Sequence, residues 1–221
     1  MMFGPSRFVI GALALVATAC SDNNNFAPFS SAAVRFVNDT DTPLVFSNSG
    51  VVDSTSARVS FGQSSPCVSV DVSNTRGLTV TNATTGERIA FAPSLNPGGN
   101  VIFVAFGDPA GNIRFATLND HFLPATNDAG LRFFNGVVSG AGPVVMQRNG
   151  LAITPAVDFG TSSSFVSVPV DSAAITFADQ FSIVLDAGRI AFPLGQNSTV
   201  VVGPPAPAAT APLRFFTVQG C

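Results

Sequence analysis

A strand-like phrase, VRFVN at Val34–Asn38, returns almost unchanged as LRFFN at Leu131–Asn135. The echo continues down the chain. VSFGQSS at Val59–Ser65 matches VDFGTSS at Val157–Ser163, VSV at Val68–Val70 matches Val166–Val168, and RIAF at Arg88–Phe91 matches Arg189–Phe192. IRFAT at Ile113–Thr117 closes the first stretch, and LRFFT at Leu213–Thr217 closes the second. Matches in one order, at an offset of about 97 to 101 residues, are too widely spaced for solenoid units and have the length of a small all-β domain. The chain therefore reads as one domain written twice.

Within each copy, short runs rich in Val, Phe and Thr alternate with turn residues, which points to pleated strands. Gly107–Asn112 (GDPAGN) reads as a hairpin loop. No run has helical periodicity. The expected fold is all-β, with two tandem immunoglobulin-like antiparallel β-sandwiches at residues 33–122 and 131–221 joined by a linker at 123–130. In a strand, neighbouring side chains face opposite ways. Each Arg-Phe pair is thus expected to put Phe in a core and Arg in solvent. Like charges opposite one another destabilise a sheet, so Arg35 and Arg114, or Arg132 and Arg214, should face each other only across a carboxylate such as Asp71, Asp158 or Asp171.

The first residues read as an export signal. Arg7 supplies a positive start, Phe8–Ala17 a short apolar run, and ATAC at Ala17–Cys20 the small residues of a cleavage site. The apolar run is shorter than the roughly 20 residues of a membrane-spanning helix. Val16–Cys20 resembles a bacterial lipobox, in which the Cys is lipid-modified and becomes the new N-terminus; the usual Leu is replaced here by Ala17, with Leu15 two positions earlier. The expectation is a signal peptide at 1–19, lipidation at Cys20 and a polar tether at 20–32, in which SDNNN follows the Cys. In a Gram-negative cell, Ser21 resembles an outer-membrane sorting residue.

The opening apolar-Arg-Phe-apolar-Asn phrase, the Phe-Gly with its Ser-rich turn, and the Val-Ser-Val strand resemble bacterial lipoproteins of the domain-of-unknown-function 4397 family. The resemblance covers most of residues 33–221, in two copies. It departs from the pattern at Pro169 within a strand and in the Pro-Ala tract at Pro204–Pro212. It implies exported, tandem immunoglobulin-like domains and brings no activity with it.

Catalytic residue types are scarce. The chain has one His, His121, and one Glu, Glu87, so a Ser-His-Asp triad has a single candidate base, set in the connection after the first copy. Zinc would require clustered His and Cys. Asp39–Asp41 and Asn119–Asp128 are oxygen-rich, yet their spacing matches no calcium loop, and Asn96–Asn100 (NPGGN) precedes a strand where a phosphate loop would precede a helix. No cofactor or metal is expected. The weak net charge of −3 is spread along the chain and argues against nucleic acid.

A chain with 21 Phe and neither Trp nor Tyr lacks the usual amphipathic rings of a sugar platform. A carbohydrate-binding envelope module would need a row of exposed Phe, and a hydrolase would need two Asp converging in a cleft. Cys67 and Cys221 remain once Cys20 is modified. They can form a disulfide in an oxidising compartment if the two domains pack side by side, whereas an end-to-end arrangement leaves two thiols. The expected function is a lipid-anchored structural or protein-interaction module without catalytic activity. Its partners would be the membrane, through Cys20, and another envelope protein or a glycan. Its selective surface would lie in loops at Asn38–Thr42, Gly107–Asn112 and Gly136–Gly142.

Overall fold

The structure is a computed structural model that describes residues 31–48, 55–137, 142–179, 183–203 and 214–221. Cys20 and the export signal lie outside the described residues. The first copy contributes β1 (Ser31–Asp39), β2 (Leu44–Asn48), β3 (Thr55–Val59), β4 (Gln63–Ser64), β5 (Val68–Asp71), β6 (Leu78–Asn82), β7 (Arg88–Ile89), β8 (Asn100–Gly107) and β9 (Ile113–Asn119). A 3-10 turn at Val72–Gly77 joins β5 to β6. The second copy contributes β10 (Asp128–Asn135), β11 (Val145–Arg148), β12 (Leu151–Ala152), β13 (Val166–Pro169), β14 (Ser172–Ala178), β15 (Ile183–Ala191), β16 (Asn197–Gly203) and β17 (Arg214–Gln219).

Each copy is a sandwich of two sheets, and the strand order repeats. One sheet runs β4-β1-β8-β9, with β5 also on β1, and its counterpart runs β13-β10-β16-β17. The other runs β3-β2-β6-β7, with counterpart β12-β11-β14-β15. The expected all-β sandwich is there, with one departure from a purely antiparallel pattern. In each copy the opening strand pairs parallel with the penultimate one, β1 with β8 and β10 with β16. Consequently β8 separates Arg35 from Arg114, and β16 separates Arg132 from Arg214, so neither pair faces across a ladder. Boundaries also shift. β1 starts inside the expected tether, β10 starts inside the expected linker, and the strand expected at 156–159 is reduced to a bridge between Val144 and Val157.

The repeated phrases perform identical backbone tasks in both copies. Gly62 and Gly160 adopt φ of 73° and 72°, a left-handed turn that glycine makes without steric cost, and each donates its N–H to the carbonyl of Asn38 or Asn135. The serine three positions after each glycine plugs the sheet. The Ser65 hydroxyl accepts from the Phe36 N–H at 2.9 Å and donates to the Pro66 carbonyl; Ser163 accepts from Phe133 at 3.0 Å and donates to Ser164. Asn38 and Asn135 each donate a side-chain amide to the carbonyl of Val59 or Val157 at 2.9 Å. The Phe-Gly-x-Ser-Ser repeat therefore closes the sandwich by satisfying buried backbone groups.

Packing occurs in three clusters. Val34, Phe36, Phe46 and Phe103 anchor the first sandwich, with Phe36 and Phe46 stacked at 5.1 Å. Leu131, Phe133, Met146 and Phe177 anchor the second. A third cluster, including Val37, Ile102, Val104, Phe134, Val201 and Val218, lies between the two inner sheets. The sandwiches pack face to face, so the protein is four sheets deep and its two inner sheets are buried on both sides.

Candidate functional site

The inner-sheet faces turned away from the two sandwich cores form a seam. Side-chain alternation sends Arg35, Val37 and Asp39 of β1 there, and Arg132 and Phe134 of β10, with Gly136 next after the strand. This overturns the expectation of a solvent-facing Arg for the two opening strands, at Arg35 and Arg132, because the outer face of each has a neighbouring sheet. Arg132 is 3% exposed, while Arg114 and Arg214 on the edge strands remain exposed. Rings seal the seam's middle and one end. Phe106 packs on Phe134 and Phe159 at 5.5 Å each, Phe61 packs on Phe216 at 5.9 Å, and the Arg214 guanidinium lies 5.6 Å from the Phe61 ring centre.

The contacts across the seam are reciprocal. Arg35 donates to the carbonyl of Gln219, and Arg132 donates to the carbonyl of Asn119. Asn119 and Gln219 end β9 and β17, the matching last strands, so equivalent residues exchange equivalent bonds, as at a two-fold interface.

Asp120 sits where the two opening arginines approach. It ion-pairs with Arg132 at 3.4 Å, the two side chains being 3% and 4% exposed. Arg132 also donates to Thr199 at 2.8 Å and lies 4.4 Å from the centre of the Phe165 ring. Burial pulls the Arg132 pKa down to about 10, against the attraction of Asp120. Burial likewise raises Asp120, opposed by Arg132, the Cys221 N–H and Arg35. The carboxylate that both opening arginines feel is thus Asp120, paired with Arg132 and attracting Arg35, and it is not one of Asp71, Asp158 or Asp171. Of these, Asp171 pairs with Arg148; Arg114 takes a different partner, Asp108.

Asp39 lies at the opposite end of the seam with no exposed surface, and neither carboxylate oxygen has a hydrogen-bond partner among the described residues. Burial holds its pKa well above the usual carboxylate range, and Asp41 raises it further. Glycine makes its space: a Cβ on Gly136 or Gly203 would overlap the Asp39 carboxyl, and one on Gly220 would overlap Asp120. In the aligned copies Asp39 stands at the position of Gly136, and Asp120 at that of Gly220. Acid on one side thus meets glycine on the other.

Outside Asp120 the seam opens into a cleft of about 500 Å³, lined by Asn100, Asp120, His121, Asn197, Gln219 and Cys221 among others. The Oδ1 atom of Asn197 is buried there without a partner. Cys221 is bonded to Cys67, with Cα atoms 5.8 Å apart and 154 positions between them in the chain. The disulfide reading thus applies, through the side-by-side packing it requires.

The other expected site residues behave as architecture. Asn38, Thr40 and Thr42 are knitted together by Asn38 bonds to the Thr42 carbonyl and the Thr40 N–H, and Asp108 ties the Gly107–Asn112 turn through the N–H groups of Ala110 and Asn112. Positions 138–141 of the third loop lie outside the described residues. Asp39 and Asp41 interact, but a substrate cannot reach the wholly enclosed Asp39. Among the described residues no Phe is exposed, so the row of rings required by a sugar platform is missing there.

The burial of the seam was missed in the sequence, yet it left a trace. Val101–Phe106 (VIFVAF) is a continuous apolar run without polar alternation, the pattern of a strand covered on both faces.

No family model matches this chain, and no curated protein matches it. Among solved structures it is similar to the C-terminal domain of AlgF from P. aeruginosa, at 11% identity and a TM-score of 0.34, over 42% of this chain and 99% of that one.

Proposed function

We propose that this chain is a lipid-anchored, extracytoplasmic protein of the domain-of-unknown-function 4397 type, whose two immunoglobulin-like sandwiches act by contact as a structural or protein-interaction module. The observation that carries the reading is the Cys67–Cys221 bond, which fastens the first sandwich to the end of the second. Such bonds persist in oxidising compartments outside the cytoplasm. With these two cysteines paired, Cys20 is the one left over, and it follows the apolar run and small residues of an export signal. The buried charges fit the same reading, since Asp120, Arg132 and Arg35 are engaged in holding the sandwiches together.

The test is the mass and location of the mature chain. Mass spectrometry is expected to find an N-terminus at Cys20 carrying acyl mass, with residues 1–19 removed. A Cys20→Ala chain is expected in the soluble extracytoplasmic fraction, where crosslinking pull-down compares its partners with those of the anchored form. A Cys20→Ala chain retained on the membrane at the wild-type level would overturn the anchor.

The cleft favours a second reading, a carbohydrate-binding envelope module, because the amides of Asn100, Asn197 and Gln219 converge there. Calorimetric titration with soluble glycans decides it, and unchanged affinity in an Asn197→Ala chain would remove the cleft from that role.

A further inference from the structure

Strand register shows which features share an end of the molecule. β1 enters at Ser31, whose carbonyl accepts from Gly98 next to the start of β8. β9 and β17 finish at this end beside Asp120 and the disulfide, and the linker 120–127 crosses it.

Four large apolar side chains are exposed among the described residues: Leu123 (86%), Leu151 (74%), Leu194 (60%) and Val170 (42%). All four belong to this same end, and short contacts chain them together. Leu123 sits in the linker, where the Ala125 N–H donates to Ser167 of β13 at 2.9 Å. Val170 follows β13, whose last residue, Pro169, pairs with Asp128. Leu194 precedes Gly195, whose N–H donates to the Asp128 carbonyl at 2.9 Å. Leu151 pairs with Arg148, which is bonded to Asp171 beside Val170. Three of the four adjoin a proline (Pro124, Pro169, Pro193), which fixes the backbone that presents them.

The opposite end carries charged groups, among them Asp41, Glu87, Asp108, Arg114 and Arg214, and none of these four exposed apolar side chains; Arg148 and Asp171 show that charge is present at the apolar-tipped end as well. The apolar tips therefore gather where the chain arrives from Cys20. The segment 21–30 spans at most about 40 Å even when fully extended, which keeps this end near whatever Cys20 is anchored in.

We propose that this end is a membrane foot: Leu123, Leu151, Val170 and Leu194 dip into the interfacial layer of the lipid bilayer that holds Cys20. The inference rests on the lipid-anchor reading. A covalent lipid and apolar contacts add as separate membrane signals, so the foot would fix how the sandwiches stand on the surface and direct the polar end away from it.

Because the chain has no Trp, a single introduced one reports its own surroundings. Leu123→Trp, Leu151→Trp and, as a control at the polar end, Ala110→Trp are made in the full chain, purified in lipidated form and reconstituted into phosphatidylcholine vesicles. Tryptophan at 123 and 151 is expected to shift its emission to the blue and to be quenched severalfold more by brominated lipid than tryptophan at 110. Equal, water-like emission at all three sites in a chain of confirmed acyl mass overturns the foot alone. A chain that carries no acyl mass overturns the anchor and the foot with it. A blue shift in detergent-free, lipid-free buffer that grows with protein concentration assigns the patch to a second copy and overturns the foot.

Discussion

Asp39 offers a direct test of how the seam is built. Its carboxyl is enclosed against Gly136 and Gly203 without a hydrogen-bond partner, and burial and Asp41 both raise its pKa. A carboxyl raised on folding favours the protonated state. Its stabilising contribution is therefore complete below the unfolded-state value, near the ordinary 3.8, and is lost as pH rises through the folded-state value. Each unit of the shift corresponds to about 1.4 kcal/mol, so the slope from this one group reaches about 1.4 kcal/mol per pH unit across the window. Asp39→Asn keeps the shape and removes the proton. Urea unfolding of both chains from about pH 4 to about pH 8, with the disulfide intact, is expected to show similar stability at the acid end and a widening advantage for Asp39→Asn above it. Asp41 and Asp120 are also raised and contribute slopes of the same sign, so the difference between the two chains is the quantity to read. If the two stabilities decline in parallel, the argument that Asp39 is buried without a compensating partner is refuted.

Other outcomes follow from the same contacts. Replacing both Cys67 and Cys221 with Ser frees a loop closed over 154 positions and is expected to lower unfolding stability by about 5 kcal/mol on the chain-entropy argument, read from urea midpoints under oxidising conditions. Asp120→Ala leaves Arg132 buried without its carboxylate and is expected to cost about 3–5 kcal/mol; replacing Arg132 with Met in the same chain should recover part of that, as a double-mutant cycle would show. Ser65→Ala and Ser163→Ala each strand a buried backbone N–H and should each cost about 1–3 kcal/mol, with near-equal values in the two copies if the repeated motif does the same job twice.

The doubled architecture was legible because its signature residues serve the backbone. Gly62 and Gly160 must reach positive φ, Ser65 and Ser163 must plug the same N–H, and Asn38 and Asn135 must hold the same carbonyl. Those demands recur wherever the fold recurs, so the residues recur too. The seam was not legible in the same way. Whether Arg132 meets water or another sheet depends on what lies beyond its own domain, and alternation within a strand is silent on that. The run VIFVAF carried the missing information, since a strand with one wet face would have broken it with polar residues. The role of Asp120 was hidden for a related reason. It lies just past the last strand, and only the meeting of two β1-type strands turns a connection residue into the counter-ion of both.

The acid-glycine pairing has a consequence for how such a seam can exist at all. Were the halves two identical molecules, the residue facing Asp39 across the axis would be another Asp39, two carboxyls contesting a space that now admits one. Joining the halves in one polypeptide releases each position from having to match itself. One half is free to acquire a side chain and the other to vacate room for it, a division of labour closed to any assembly of equals.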